Sequence, residues 1–164
     1  MAVWQFKVLL IPKAWAVEHN YNAAPLFGAE SFDSSVAWSG SAMSAEQFLT
    51  AFDRILPRRS SWHEDQTAWG DDEATDIQLW MENGHIDEIQ LRLHVGENTE
   101  DFVSKFIEAI LSLDCVLFIP EKELIVEPSA QNIFRLAATS RAATFVANPH
   151  GYFQNLAAAS SPSK

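Results

Sequence analysis

Three tryptophans, Trp62, Trp69 and Trp80, stand among His63, Glu64, Asp65, Asp71, Asp72, Glu73 and Asp87, and this mixture is the chain's clearest chemical signal. Rigid aromatics supply buried contact area at an interface, while surrounding carboxylates steer an oppositely charged partner into register. These ten residues form the candidate partner-binding set. The segment from Ser61 to Asp101 holds twelve acidic residues against Arg92 alone, and the rest of the chain balances ten of each sign. Such a field repels nucleic-acid phosphates and anionic lipid headgroups and attracts basic surfaces, so the expected partner is a basic protein, not nucleic acid or membrane. Acidity also serves plain solubility, and Trp62 and Trp69 can equally fold inward to cover a sheet edge. Spacing leaves both uses open.

Other chemistry is poorly supplied. His63, Glu64, Asp65, Asp71, Asp72 and Asp76 fall within fourteen residues, yet they spell neither a calcium-binding EF-hand loop nor a zinc-binding H-E-x-x-H helix, so no metal site is expected. Phosphate-cradling glycine loops are absent, and the chain has six glycines in all. Gly40-Ser41 has no positioned base beside it, and Cys115 opens an apolar run where a thiol serves as core filler. His19, His85, His94 and His150 have no identifiable catalytic partner. The expectation is therefore a non-enzymatic chain with no catalytic residues and no cofactor. A lone cysteine rules out an internal disulfide, and the amino terminus lacks a leader pattern, which together suit the cytoplasm.

The elements that must position these residues are legible in the apolar pattern. Val3 to Ile11 alternates, with Trp4, Phe6, Val8 and Leu10 on one side, and predicts a strand. Residues 13–43 carry Trp15, Tyr21, Phe27, Phe32 and Trp38 without a clean period, which predicts a long aromatic excursion that packs over the core or encloses a ligand. Ser44 with Gln47 makes a capping box ahead of Phe48, Leu49, Phe52, Ile55 and Leu56, and Pro57 ends that helix. Residues 58–73 read as a polar connector. Ile77, Leu79 and Met81 alternate up to Asn83-Gly84, a type I′ turn signal, and the return strand runs from His85 to Val95.

Register in that hairpin can be worked out by hand. A two-residue turn sets Met81 against Ile86, but Ile89, Leu91, Leu93 and Val95 stay inward only if one extra residue is absorbed at Asp87 or Glu88. A β-bulge is predicted there, and it brings Asp76 opposite Arg92 as an outer-face ion pair. Downstream, Asn98 or Thr99 caps a helix with Phe102, Val103, Phe106, Ile107, Ile110 and Leu111 on one stripe; Cys115 to Ile119 is a covered strand. Pro128-Ser129 opens a third helix through about Arg141, and a short last helix carries Tyr152, Phe153 and Leu156.

Strand, helix, hairpin, helix, strand is the order of the ferredoxin-like split β-α-β-β-α-β fold. The expected class is thus α+β, an antiparallel sheet with helices on one face plus carboxy-terminal helices. A single domain spans residues 1–156, with 157–164 as a disordered tail. From Ser61 to Arg92 the pattern Trp62, Trp69-Gly70, Ile77-Gln78-Leu79-Trp80, Gly84, Ile86, Glu88-Ile89 and Arg92 resembles small uncharacterised bacterial cytosolic proteins, some of them akin to toxin-immunity proteins. The resemblance implies an immunity-type inhibitor that holds a basic secreted toxin inactive. The alternative expectation is a ferredoxin-like regulatory domain that senses a small molecule.

Overall fold

The structure, a computed structural model, describes residues 1–160. Its strands are β1 (Gln5–Pro12), β2 (Arg58–Arg59), β3 (Gln66–Gly70), β4 (Asp76–Glu82), β5 (His85–His94), β6 (Cys115–Ile119) and β7 (Leu124–Val126). They form one open sheet in the order β2-β3-β4-β5-β1-β6-β7, and every neighbouring pair is antiparallel. The helices are α1 (Lys13–Glu18), α2 (Ser35–Trp38), α3 (Ala45–Asp53), α4 (Glu100–Ser112), α5 (Ala130–Ala138), α6 (Arg141–Ala147) and α7 (Pro149–Ser160). The class is α+β. Among the described residues no helix is long and apolar enough to cross a membrane.

Alternation along β1 divides the interior. Phe6, Val8 and Leu10 join Ile77, Leu79, Leu91 and Leu117 in the larger core, under the apolar stripes of α3 (Phe48, Phe52), α4 (Val103, Phe106, Ile110) and α5 (Ile133, Leu136). Leu9 and Ile11 point the other way, into a smaller core with Val116, Phe118 and Ile125. Ala16 of α1, Leu26 and Ala37 of α2 close that second core, with Phe27 and Phe32 packed edge-on to Phe118. The aromatic excursion therefore covers the sheet, and helices lie on both faces, where sequence led us to expect one. Burial of Leu26 and Trp38, at about 2 kcal/mol for each fully buried large apolar side chain, with the partly buried Phe27 and Phe32, holds so irregular a segment down.

Local signals were mostly honoured. Ser44 caps α3, although its hydroxyl accepts from Glu46 N at 3.3 Å and the helix closes at Asp53, just short of Ile55 and Leu56. Asn83 and Gly84 take φ of 50° and 79°, as a type I′ turn requires. The ladder pairs Met81 with Ile86 and then Trp80 with Glu88, leaving Asp87 as the extra residue of the bulge. Beyond it Leu79 meets Ile89 and Ile77 meets Leu91, the apolar register that demanded the bulge.

Other expectations need correction. The connector 58–73 contains β2, an Arg pair, and β3, the five residues Gln66–Gly70, each too short to set a readable period. Turn Asp71–Thr75 closes β3 on β4, and Gly70 at φ +85° has no room for a Cβ, which would meet Thr75 O at 2.5 Å. β7 was also missed. The third helix is two helices, because Ser140 caps α6 by accepting from Ala143 N at 3.2 Å. The last helix continues through Ser160, so residues 157–160 of the expected tail are helical and 161–164 lie outside the described residues.

Candidate functional site

Trp62 is 79% exposed, the most solvent-exposed large apolar side chain of the described residues. Its chain position is held tightly all the same: Ser61 Oγ accepts from His63 N and donates to Gln66 Oε1 at 2.6 Å, and His63 Nδ1 accepts from Asp65 N. The indole meets Trp80 edge-on with ring centroids 5.7 Å apart, and His63 closes on the same Trp80 at 5.6 Å. Trp80 is half-buried and stands on β4 between Gln66 of β3 and Glu88 of β5. A locked, exposed aromatic corner results.

Carboxylates rim this corner. Glu64 and Asp65 are exposed beside it, Glu82 lies two residues along β4 on the face that carries Trp80, and Asp87 occupies the bulge. Partial burial, then the charges of Glu82 and Asp33, push the Asp87 carboxyl up from its ordinary range. Burial also pushes Glu88 up; Lys7 pulls it down, and Asp87 and Asp33 push it up again. Lys7 relieves only part of the repulsion among these groups, and an arriving cation would relieve more of it.

The remaining candidate residues fall elsewhere. Trp69 is fully buried in the larger core, edge-on to Phe52, and donates its Nε1–H to Asp53 Oδ1 at 2.8 Å. No docking partner reaches it, so its assignment to the partner-binding set is corrected. Asp53 also takes Arg58 at 2.6 Å, and these two bonds hold its carboxyl below the usual range. Asp71, Asp72 and Glu73 are exposed in the β3–β4 turn, at the end of β4 away from Trp80. Trp4 Nε1 donates to Glu73 O at 2.7 Å, and Gln5 Nε2 donates to Asp72 O at 3.0 Å, which ties the turn to β1. Five residues of extended strand, roughly 17 Å, separate that acidic turn from the aromatic corner.

Sequence reasoning missed the floor between them. On the face that carries Trp80, Asp76 is fully buried and accepts from Arg59, from Arg92 through Nε at 2.7 Å and a second nitrogen, and from Gln78 Nε2 at 3.1 Å. The Asp76–Arg92 pair was expected, but as an exposed one. Gln90 in turn donates to Gln78, so the polar layer is one connected network. The signal was present: Asp76, Gln78 and Trp80 alternate with Ile77 and Leu79, and Gln90 and Arg92 do so with Ile89 and Leu91. What sequence could not supply was Arg59 crossing from β2 to bury the carboxylate.

Cys115 is buried, and desolvation, then the charge of Asp114, push its thiol up to about 12, far from a reactive thiolate. Among the described residues no three His, Cys, Asp or Glu side chains converge as a metal ion would need. Comparison with known proteins gives no match to a family model, to a curated protein or to a solved structure.

Proposed function

We propose that this chain is a non-enzymatic protein-binding domain that docks a basic partner at the Trp62–Trp80 corner, in its most specific form an immunity-type inhibitor of a basic toxin in the bacterial cytoplasm. The observation that carries the reading is Trp62, 79% exposed on a backbone locked by Ser61 and His63. Leaving an indole in water forgoes about 2 kcal/mol of burial, and a partner that covers it recovers that term with little ordering of the loop. The acidic rim selects the partner's sign and speeds its approach.

The test is affinity purification from the native host with the full chain, Trp62→Ala, and the pair Glu64→Gln/Asp65→Asn as baits. A basic protein retained by the full chain and lost with Trp62→Ala supports the reading. A partner held equally by all three baits, or no basic partner at all, overturns it.

A second reading is favoured by two observations: the order β4-β5-β1-β6 is the one a ferredoxin-like split fold adopts, and a cleft opens beside the aromatic excursion. On that reading the chain is a ferredoxin-like regulatory domain that senses a small molecule.

A further inference from the structure

A cleft of about 650 Å³ lies where the excursion meets the ends of α3 and α4. That size falls inside the range of roughly 300–1,000 Å³ typical of small-molecule sites. Trp15 and Glu18 of α1 line one wall, Ser41, Ser44 and Gln47 another, and Asp114 closes it after α4. Every charged side chain in the lining is a carboxylate, Glu18 or Asp114. Lys13, whose backbone N–H bonds the Asp114 carbonyl at 2.9 Å, does not line it.

Two features favour positive charge there. The carboxy-terminal end of the thirteen-residue α4, at Ser112 and Leu113, reaches the lining and brings the negative end of its dipole. The amino-terminal end of α3 also reaches it, but Ser44 already accepts from Glu46 N and Glu46 occupies that first turn, so its partial positive charge is answered from within. Trp15 supplies an aromatic wall that is itself buttressed, with His19 stacked on it at 3.9 Å and held by a 2.8 Å bond from Nδ1 to Trp15 O. An indole beside two carboxylates is the recognition chemistry of an organic cation.

We propose that this cleft binds a small organic cation, a quaternary ammonium or an aliphatic amine, with Trp15 against the cationic head and Glu18 and Asp114 as counter-charges. Ser41, Ser44 and Gln47 meet its polar remainder. The site is separate from the Trp62 corner and stands or falls independently of it.

Calorimetry of the full chain with choline and with spermidine tests this, with acetate as the anionic control. Saturable one-to-one binding of the cations and none of acetate is expected. Glu18→Gln and Asp114→Asn should each weaken binding about fivefold, as the loss of one exposed counter-charge predicts. Asparagine tolerates the φ of 51° at position 114, so that variant keeps the backbone. Trp15→Phe should weaken choline more than spermidine, and Trp62→Ala should change neither. Absence of binding, or binding indifferent to Glu18→Gln, Asp114→Asn and Trp15→Phe, overturns the proposal; loss on Trp62→Ala would move the cations to the acidic corner and overturn it equally.

Discussion

Trp62 and Trp69 are seven residues apart in one acidic segment, and they have opposite fates. Trp69 sits on β3 opposite Ile77, on the side that faces α3, and spends its one polar atom on Asp53. Trp62 precedes β3, has no strand partner, and touches only Trp80 and His63 among ring systems. The composition around each is much the same. A tryptophan's role here is set by whether its residue joins the ladder on the helix-covered side, and acidic neighbours say nothing about that.

The largest expected effect is on the buried member. Trp69→Ala should destabilise the fold by about 3–5 kcal/mol, read as a lowered denaturation midpoint, whereas Trp62→Ala should stay within roughly 0.5 kcal/mol of the parent. Comparable losses from the two would erase the distinction between core and corner. Close behind comes Asp76→Ala, which strands Arg59 and Arg92 on a mostly buried face; about 3 kcal/mol is expected for such a pair-breaking change. Little change in urea unfolding would mean that solvent reaches this layer after all.

Next is the binding effect. Trp62→Ala should weaken the basic partner by about 2 kcal/mol, mainly through faster dissociation. Neutralising Glu64 and Asp65 should instead slow association, and the loss should shrink with salt. Neutralising Asp71, Asp72 and Glu73 should matter less, because their turn lies roughly 17 Å of strand away and the screening length at physiological salt is about 8 Å. Stopped-flow association rates at two ionic strengths rank the two clusters, and a larger effect from the turn would move the docking surface there.

The smallest effect belongs to Glu88. Its carboxyl is raised in the folded state, first by burial, so the native state holds this proton more tightly than the unfolded chain does. Its contribution to stability therefore falls as pH rises from the ordinary glutamate range through the raised folded value. Glu88→Gln removes that penalty and should stabilise the protein at neutral pH by less than about 1 kcal/mol. The gain should vanish near pH 4; a gain that persists in acid would point to packing instead of charge.

What sequence alone determined was local. The β5 register and its bulge at Asp87 followed from apolar alternation and the demands of Asn83-Gly84, because a strand's side chains have a period of two and one slipped residue inverts the face. The caps at Ser44, Ser129 and Ser140 and the covered strand Cys115–Ile119 rest on equally short-range rules, although the cap at Ser140 went unread. Tertiary structure decided the rest. Gln66–Gly70 becomes a strand by pairing on the free edge of β4 and Arg58–Arg59 by pairing on β3 in turn, and Leu9 and Ile11 define a second core because the excursion folds back over them. Asp76 is buried by an arginine seventeen residues earlier, and Trp62 stays in water while Trp69 does not. Each of these outcomes depends on which distant surface arrives. No local period encodes that.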